Sequence, residues 1–75
     1  MAIVRLHLTL IDLAGGKSEL VVDARHPVVL TTLLDQLGVP PDEVGLIVRN
    51  RIGDVIDCLI HEDDVVELFP VLSGG

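Results

Sequence analysis

Residues 28–38 have the sequence Val-Val-Leu-Thr-Thr-Leu-Leu-Asp-Gln-Leu-Gly. This stretch is the strongest indication of the fold, because it predicts a helix. Its leucines recur at the i, i+3, i+4 and i+7 spacing that places side chains on one helix face. They are Leu30, Leu33, Leu34 and Leu37. Gly38 and the prolines that follow at positions 40 and 41 end the pattern. The stretch predicts one amphipathic helix over residues 28–37 with a buried leucine face.

The residues on both sides of this helix carry strand patterns. Apolar side chains alternate over residues 3–10, so that one face holds Val4, Leu6, Leu8 and Leu10 and the other Arg5, His7 and Thr9. A turn at residues 14–17 and a strand over residues 19–23 complete a predicted hairpin. After the helix we expect a short helical turn at 41–43, strands at 44–49, 52–60 and 65–69, and polar turns at 50–51 and 61–64.

This order of elements predicts an α+β roll. The single main helix has only the sheet to cover, because no second helix is available to bury its leucine face. The last strand, residues 65–69, is apolar at nearly every position and suits the centre of a mixed sheet of four to five strands. Such an arrangement is the β-grasp, or ubiquitin-like, fold. We expect one domain over residues 1–70 and a flexible C-terminal tail over residues 71–75.

Length and composition exclude several classes of protein. The chain has 75 residues, of which 49% are hydrophobic and only one, Phe69, is aromatic. Its single cysteine, Cys58, cannot form an internal disulfide, so we expect a core-stabilised domain in a reducing cytoplasm. No apolar run approaches the ~20 residues of a membrane span. We therefore expect no membrane partner.

The charge balance argues against nucleic acid as a partner. Five basic residues face twelve acidic ones, giving a formal net charge of −7. Binding to phosphates requires clustered lysine and arginine, and here these residues are scattered apart from Arg49 and Arg51. An acidic surface confers solubility, and it also steers a domain toward a basic patch on another protein.

The residues with reactive side chains form no catalytic or metal-binding motif. His7, His26 and His61 lack a second ligand at a suitable spacing, which predicts no metal site. Cys58 has no neighbouring cation and is expected to be a packed thiol. The acidic run at residues 62–64 is interpreted as a solvated turn. A chain this short also has no room for a pocket of ~300 Å³ beside its core. We expect neither an enzyme nor a bound cofactor.

The C-terminal residues, Phe69-Pro-Val-Leu-Ser-Gly-Gly75, are the most informative for function. At an average glycine usage of about 7%, two terminal glycines occur by chance in roughly 0.5% of chains. Glycine at a free end has a chemical use, because a chain without Cβ atoms can thread a narrow channel and present its α-carboxylate to another enzyme.

A β-grasp chain of this size ending in Gly-Gly resembles the MoaD/ThiS family of ubiquitin-like sulfur-carrier proteins. Its tail is most similar to the small subunits of molybdopterin synthase. The matching positions are Asp64, Phe69, Pro70, Ser73, Gly74 and Gly75. Two positions depart from the family pattern: Asp63 replaces a turn glycine, and Val71 replaces a second proline. Aspartate adopts the left-handed backbone conformation more readily than most residues, so the first departure is tolerable.

The resemblance implies a protein co-substrate. In the family, an E1-like enzyme uses ATP to adenylate the terminal carboxylate, here that of Gly75, and a sulfur donor converts the adenylate to a thiocarboxylate. The thiocarboxylate then delivers sulfur to a synthase subunit. On this interpretation Gly74, which has no side chain, leaves the space needed in a narrow active-site channel, and residues 71–73 form the flexible arm that carries the terminus. The partner-binding residues are Phe69, Pro70, Val71 and Leu72, and Ser73 belongs to the tail.

Three functions remain open on the sequence alone. The first is a sulfur carrier, for molybdopterin in preference to thiamine or another product. The second is a ubiquitin-like modifier conjugated to lysine through Gly75, and the third is a β-grasp interaction module without terminal chemistry. Ordinary core packing is the alternative role for Phe69.

Overall fold

The computed structural model describes residues 1–72. The elements, in chain order, are β1 (Ala2–Leu6), α1 (Thr9–Leu13), β2 (Glu19–Val22), β3 (Val28–Val29), α2 (Leu30–Leu37), a 3₁₀ turn (Pro41–Glu43), β4 (Val44–Arg49), β5 (Ile52–Asp54), β6 (Leu59–Ile60) and β7 (Val65–Pro70). Five strands form one mixed sheet in the order β2-β1-β7-β4-β5, and β3 pairs with β6 in a separate ribbon. The predicted α+β fold, with one main helix on a mixed sheet in a β-grasp-like arrangement, is confirmed.

Strand β7 occupies the centre of the sheet, as its apolar sequence predicts. It pairs in parallel with β1, where Ile3 lies opposite Val65, and antiparallel with β4, where Val48 lies opposite Glu67. Both edges of β7 are therefore hydrogen-bonded. Val71 and Leu72 follow directly from the end of this strand.

The core lies between α2 and one face of the sheet. Its fully buried large side chains are Leu6, Leu10, Leu30, Leu34, Ile60, Leu68, Val4, Val39 and Val66. The two fully buried leucines of α2 have the predicted helical spacing, while Leu37 is partly buried against the same cluster. Each buried aliphatic side chain contributes ~1.5–3 kcal/mol. The aliphatic residues thus supply the fold, as the composition predicts.

Helix α2 ends as predicted but begins later. Gly38 adopts φ 77°, a left-handed conformation that suits glycine, and ends the helix. The helix starts at Leu30, whereas the pattern predicted residue 28. Val28 and Val29 are extended and pair with β6, and the Leu30 N–H donates to the carbonyl of Cys58 at 2.9 Å. The β-branched valines favour this extended pairing over the first helical turn.

Strand β1 is shorter than the alternation predicts. It ends at Leu6, and the next turn forms the short helix α1, which buries Leu10. The change occurs at Leu8, where φ is 56° and ψ is −130°. The backbone turns there, so Leu8 leaves the core face that its place in the pattern assigned to it. The expectation of one strand over residues 3–10 is wrong after Leu6.

The predicted strand over residues 52–60 is divided. Its first part, β5, extends the main sheet beside β4, and its second part, β6, pairs with β3. A turn stabilised by the Cys58 N–H donating to the Val55 carbonyl at 3.1 Å separates the two parts. Over residues 1–72, no helix has the length and apolar composition required to cross a bilayer.

Candidate functional site

The side chains of β7 alternate between the two faces of the sheet. Val66, Leu68 and Pro70 point toward the core, whereas Val65, Glu67 and Phe69 lie on the opposite, outer face. Phe69 is half-buried and is not part of the buried core cluster. The single aromatic side chain is therefore placed on the face that α2 does not cover.

Phe69 packs against His7 on this outer face. The ring centroids are 4.4 Å apart and the ring planes differ by 4°, a stacked arrangement. His7 follows β1 immediately, and its N–H donates to the Leu68 carbonyl at 3.1 Å, which continues the parallel pairing. His7 Nε2 also lies 3.5 Å from Glu67 Oε1. The stack fixes the orientation of the Phe69 ring beside the start of the tail.

An apolar groove of about 360 Å³ runs beside Phe69 to the end of the described chain. We call it the tail groove, and it is lined by Leu8, Gly45, Leu46, Phe69, Pro70, Val71 and Leu72. Four of these side chains are at least half exposed: Leu8 by 66%, Leu46 by 51%, Val71 by 53% and Leu72 by 82%. Adjoining exposed apolar side chains mark binding surfaces. The expectation that the chain has no room for a space of ~300 Å³ is wrong, because the groove is open and needs no enclosing core.

Leu8 is placed in the tail groove by an unfavourable backbone conformation. A positive φ of 56° is rare for leucine, because its Cβ crowds the backbone. Such strain costs on the order of 1–3 kcal/mol and accumulates at functional sites. The strained turn presents a large apolar side chain to solvent, where it adds to the exposed apolar surface of the groove.

The part of the outer face furthest from the tail is polar. A second groove of about 380 Å³ lies there, lined by Arg5, Asn50, Arg51, Val65 and Glu67. It contains both signs of charge, and Arg5 Nε is 3.5 Å from Glu19 Oε2 on the neighbouring strand. Exposed pairs of this kind contribute little to stability. The outer face is thus apolar beside the tail and mixed in charge at its other end.

Asp64 differs from its acidic neighbours, because it is buried at the end of the sheet opposite the tail. The predicted solvated turn is correct for the exposed Glu62 and Asp63 but wrong for Asp64. Its carboxylate accepts hydrogen bonds from Asn50 Nδ2 at 2.7 Å and from the His61 N–H at 2.8 Å. Asp63 adopts φ 67°, which confirms that this aspartate takes the left-handed conformation expected at the turn.

The remaining side chains with reactive groups are the metal-ligand types and Cys58. No group of three or more histidine, cysteine, aspartate or glutamate side chains within residues 1–72 is placed to hold a metal ion. Cys58 is buried, and burial raises the pKa of its thiol, which disfavours the nucleophilic thiolate. The structure thus agrees with the packed-thiol interpretation of Cys58.

The structure brings together the predicted partner-binding residues that it describes. Phe69, Pro70, Val71 and Leu72 line one groove, and sequence reasoning missed Leu8 and Leu46 beside them. Ser73, Gly74 and Gly75 lie outside the described residues. In sequence, Leu46 is indistinguishable from a core residue of β4, and nothing in the local pattern marks Leu8 as exposed.

Neither protein-family models nor curated proteins provide a relative of this chain: no family model matches it, and no curated protein matches it in sequence. The functional interpretation therefore depends on the tail groove, the outer face and the tail sequence.

Proposed function

We propose that this protein is a sulfur carrier whose Gly75 carboxylate is activated by an E1-like adenylating enzyme. The observation that carries the proposal is the position of the tail groove. The groove is lined by the half-buried Phe69 and by exposed apolar side chains, and it adjoins the segment leading to Gly74 and Gly75. A partner docked on that surface is close to the chain terminus. The resemblance of the tail to the MoaD/ThiS family supports the same function.

The chemistry requires two transfers at Gly75. In the first, a carboxylate oxygen attacks the α-phosphate of ATP, which forms an acyl adenylate and releases pyrophosphate. In the second, a sulfide equivalent attacks the activated carbonyl carbon and displaces AMP, which leaves a thiocarboxylate. The carboxylate itself is a poor electrophile, so adenylation makes the second step possible. The protein supplies the acyl group and its partners supply the catalytic residues and ATP.

Docking and chemistry involve different parts of the protein: the apolar surface binds the partner, and the chain terminus carries the reacting carboxylate. Phe69, Leu8 and Leu46 provide apolar area that a partner would desolvate on binding, and such contacts dominate the binding energy at interfaces. Two glycines at the terminus add no side chains that would block a narrow active-site channel. Within the family, Phe69-Pro70 favours delivery of sulfur to a molybdopterin synthase subunit over a thiamine-forming enzyme.

Intact mass spectrometry of the protein isolated from its native host tests the proposal. A carrier will show a species in which one oxygen is replaced by sulfur, and iodoacetamide will add one carbamidomethyl group to it beyond that on Cys58. The same species will form in vitro when the adenylating enzyme, ATP and a sulfide source are supplied. Conjugates linked through Gly75 to lysine would instead identify a protein modifier. Absence of both species would favour an interaction module.

The replacement Phe69→Ala will weaken partner binding more than folding. Loss of the stack on His7 will lower the free energy of unfolding by about 1–1.5 kcal/mol. Binding to the adenylating enzyme will weaken by about 2 kcal/mol or more, as for a central aromatic contact. Chemical unfolding and isothermal titration calorimetry measure the two quantities.

The neighbouring replacement Leu68→Ala is the matched control. Leu68 is fully buried on the core face, so its truncation will cost about 2–5 kcal/mol of stability. A stability loss of about 3–5 kcal/mol for Phe69→Ala as well would assign Phe69 to the core, contrary to the proposed role.

A further inference from the structure

The pairing between β4 and β7 is irregular where the tail begins. Val44 lies opposite Pro70 and Leu46 lies opposite Phe69, so Gly45 is an extra residue without a partner. An unpaired residue of this kind is a β-bulge, which bends the strand that contains it. The bulge brings the backbone of β4 against the last residue of β7 and the first residue of the tail.

The contact at Gly45 leaves no space for a side chain. A Cβ atom at this position would lie 2.8 Å from the Val71 Cα and 3.0 Å from both the Pro70 carbonyl oxygen and the Val71 nitrogen. Two carbon atoms in van der Waals contact are ~3.5–4 Å apart. All three atoms belong to the backbone, so rotation of a side chain relieves nothing and the backbone must move by about 1 Å.

A hydrogen bond from the Val71 N–H also holds Val71 against the chain that precedes β4. The N–H donates a hydrogen bond of 3.0 Å to the carbonyl of Glu43, the residue that precedes β4. Val71 is thus held between the Glu43 carbonyl and the Gly45 backbone, and the direction of the chain after β7 is set at this point. The rest of β4 is anchored more firmly, since it pairs with β7 and β5 and buries Ile47. A side chain at Gly45 will therefore displace Val71 more than β4.

We propose that Gly45 is a positioning residue for the reaction at Gly75. The glycine permits the close contact that fixes the backbone at Val71, the residue from which the chain continues toward Gly75. For a partner docked on the tail groove, this contact sets where the segment leading to the terminal carboxylate begins. This inference rests on the proposed function, but the contact itself is tested independently of activity.

The test compares Gly45→Ala with Gly53→Ala. Gly53 lies in the neighbouring strand β5, and a Cβ placed there meets nothing within 4 Å, which makes it a matched control.

In Gly45→Ala, hydrogen exchange of the Val71 amide will accelerate at least about tenfold. A misplacement of about 1 Å caused by a substitution far from the reacting atoms lowers kcat by up to roughly 100-fold. We expect a loss of that order in ATP–pyrophosphate exchange, while the KM for the carrier changes less than about threefold because Leu8, Leu46 and Phe69 keep their places in the docking surface. Gly53→Ala will leave all three quantities at wild-type values.

A second variant tests the same contact if Gly45→Ala does not fold. Replacing the Val71 amide by an ester, through chemical synthesis, removes the donor to the Glu43 carbonyl and weakens the Pro70 carbonyl as an acceptor, but it retains Gly45. Loss of this one hydrogen bond will lower kcat by about tenfold at nearly constant KM.

Each outcome decides the inference. If the Val71 amide of Gly45→Ala exchanges hydrogen at the wild-type rate, Gly45 does not hold Val71, and the inference is wrong whatever the activity of the variant. Faster exchange with unchanged kcat would show that the contact does not position the tail. If the wild-type chain itself is not adenylated, the proposed function fails, and the exchange rates still decide whether Gly45 holds Val71.

Discussion

Removal of Gly75 will abolish adenylation and thiocarboxylate formation while leaving the fold intact. The deletion moves the terminal carboxylate back by one residue, so the carboxylate no longer reaches the ATP phosphate in the partner's site. Misplacement by a full residue, ~3.3 Å, greatly exceeds the tolerance of a positioned reaction. We expect ATP–pyrophosphate exchange to fall below detection. The buried core extends to Pro70, and Leu72 is already 82% exposed. The free energy of unfolding will therefore stay within about 0.5 kcal/mol of the wild-type value.

Amidation of Gly75 provides the matched control for this deletion. The amide keeps every residue and removes only the nucleophilic carboxylate, so it separates chemistry from chain length. Both variants are expected to bind the adenylating enzyme through the tail groove and to inhibit the wild-type carrier competitively. Substantial destabilisation of either variant would contradict a tail that contributes no core contacts. Retained adenylation of the amidated chain would exclude Gly75 as the reacting residue.

The replacement Asp64→Asn will destabilise the fold by about 3 kcal/mol at pH 7. The carboxylate of Asp64 accepts from two donors, Asn50 Nδ2 and the His61 N–H, and lies 3.5 Å from Arg49 Nη1. An amide has one acceptor oxygen, so its NH₂ group must face one of these donors. Asp63→Asn is the control, because the Asp63 side chain is 90% exposed and asparagine tolerates its left-handed backbone. We expect that change to alter stability by less than about 0.5 kcal/mol.

The contribution of Asp64 will depend on pH in a defined direction. Burial acts to raise the pKa of Asp64, but the His61 N–H, Asn50 and Arg49 favour the charged form and lower the pKa below its ordinary value of 3.8. The stabilisation is thus complete above the unfolded-state pKa and is lost as pH falls through the lower folded-state pKa. The stability difference between wild type and Asp64→Asn should shrink as the pH falls below 3.8. Urea unfolding at a series of pH values measures it, and a difference that persists undiminished at pH 2 would exclude the charge as its source.

Local patterns predicted the elements whose determinants lie close together in sequence. The leucine spacing of α2 and the glycine that ends it are such determinants, and the polar turn at Asn50-Arg51 is another. The central position of β7 also followed, because a strand that is apolar at nearly every position suits a slot in which both of its edges are paired. These signals act within one or two turns of chain and do not depend on the partner strands.

Features that depend on contacts between distant segments escaped prediction. The backbone reversal at Leu8 breaks an alternation that is regular in sequence, and the pairing of Val28–Val29 with β6 replaces a helical turn. Burial of Asp64 requires donors from the turn at Asn50, fourteen residues away. The candidate site shows the same division. The tail residues were predicted from sequence, whereas Leu46 and Gly45 join them through the register of β4 with β7, and Leu8 joins them through its backbone reversal.

The parallel contact between β1 and β7 also governs how the chain folds. Ile3 pairs with Val65, so the central contact of the sheet joins residues from nearly opposite ends of the sequence. Closing so long a loop loses conformational entropy before the paired strands return any stabilisation. The β1–β2 pairing closes a shorter loop, since Arg5 lies opposite Glu19, and α2 forms through local contacts, so both lose less entropy. We therefore expect the pairing of β1 with β7 to be the slow step of folding.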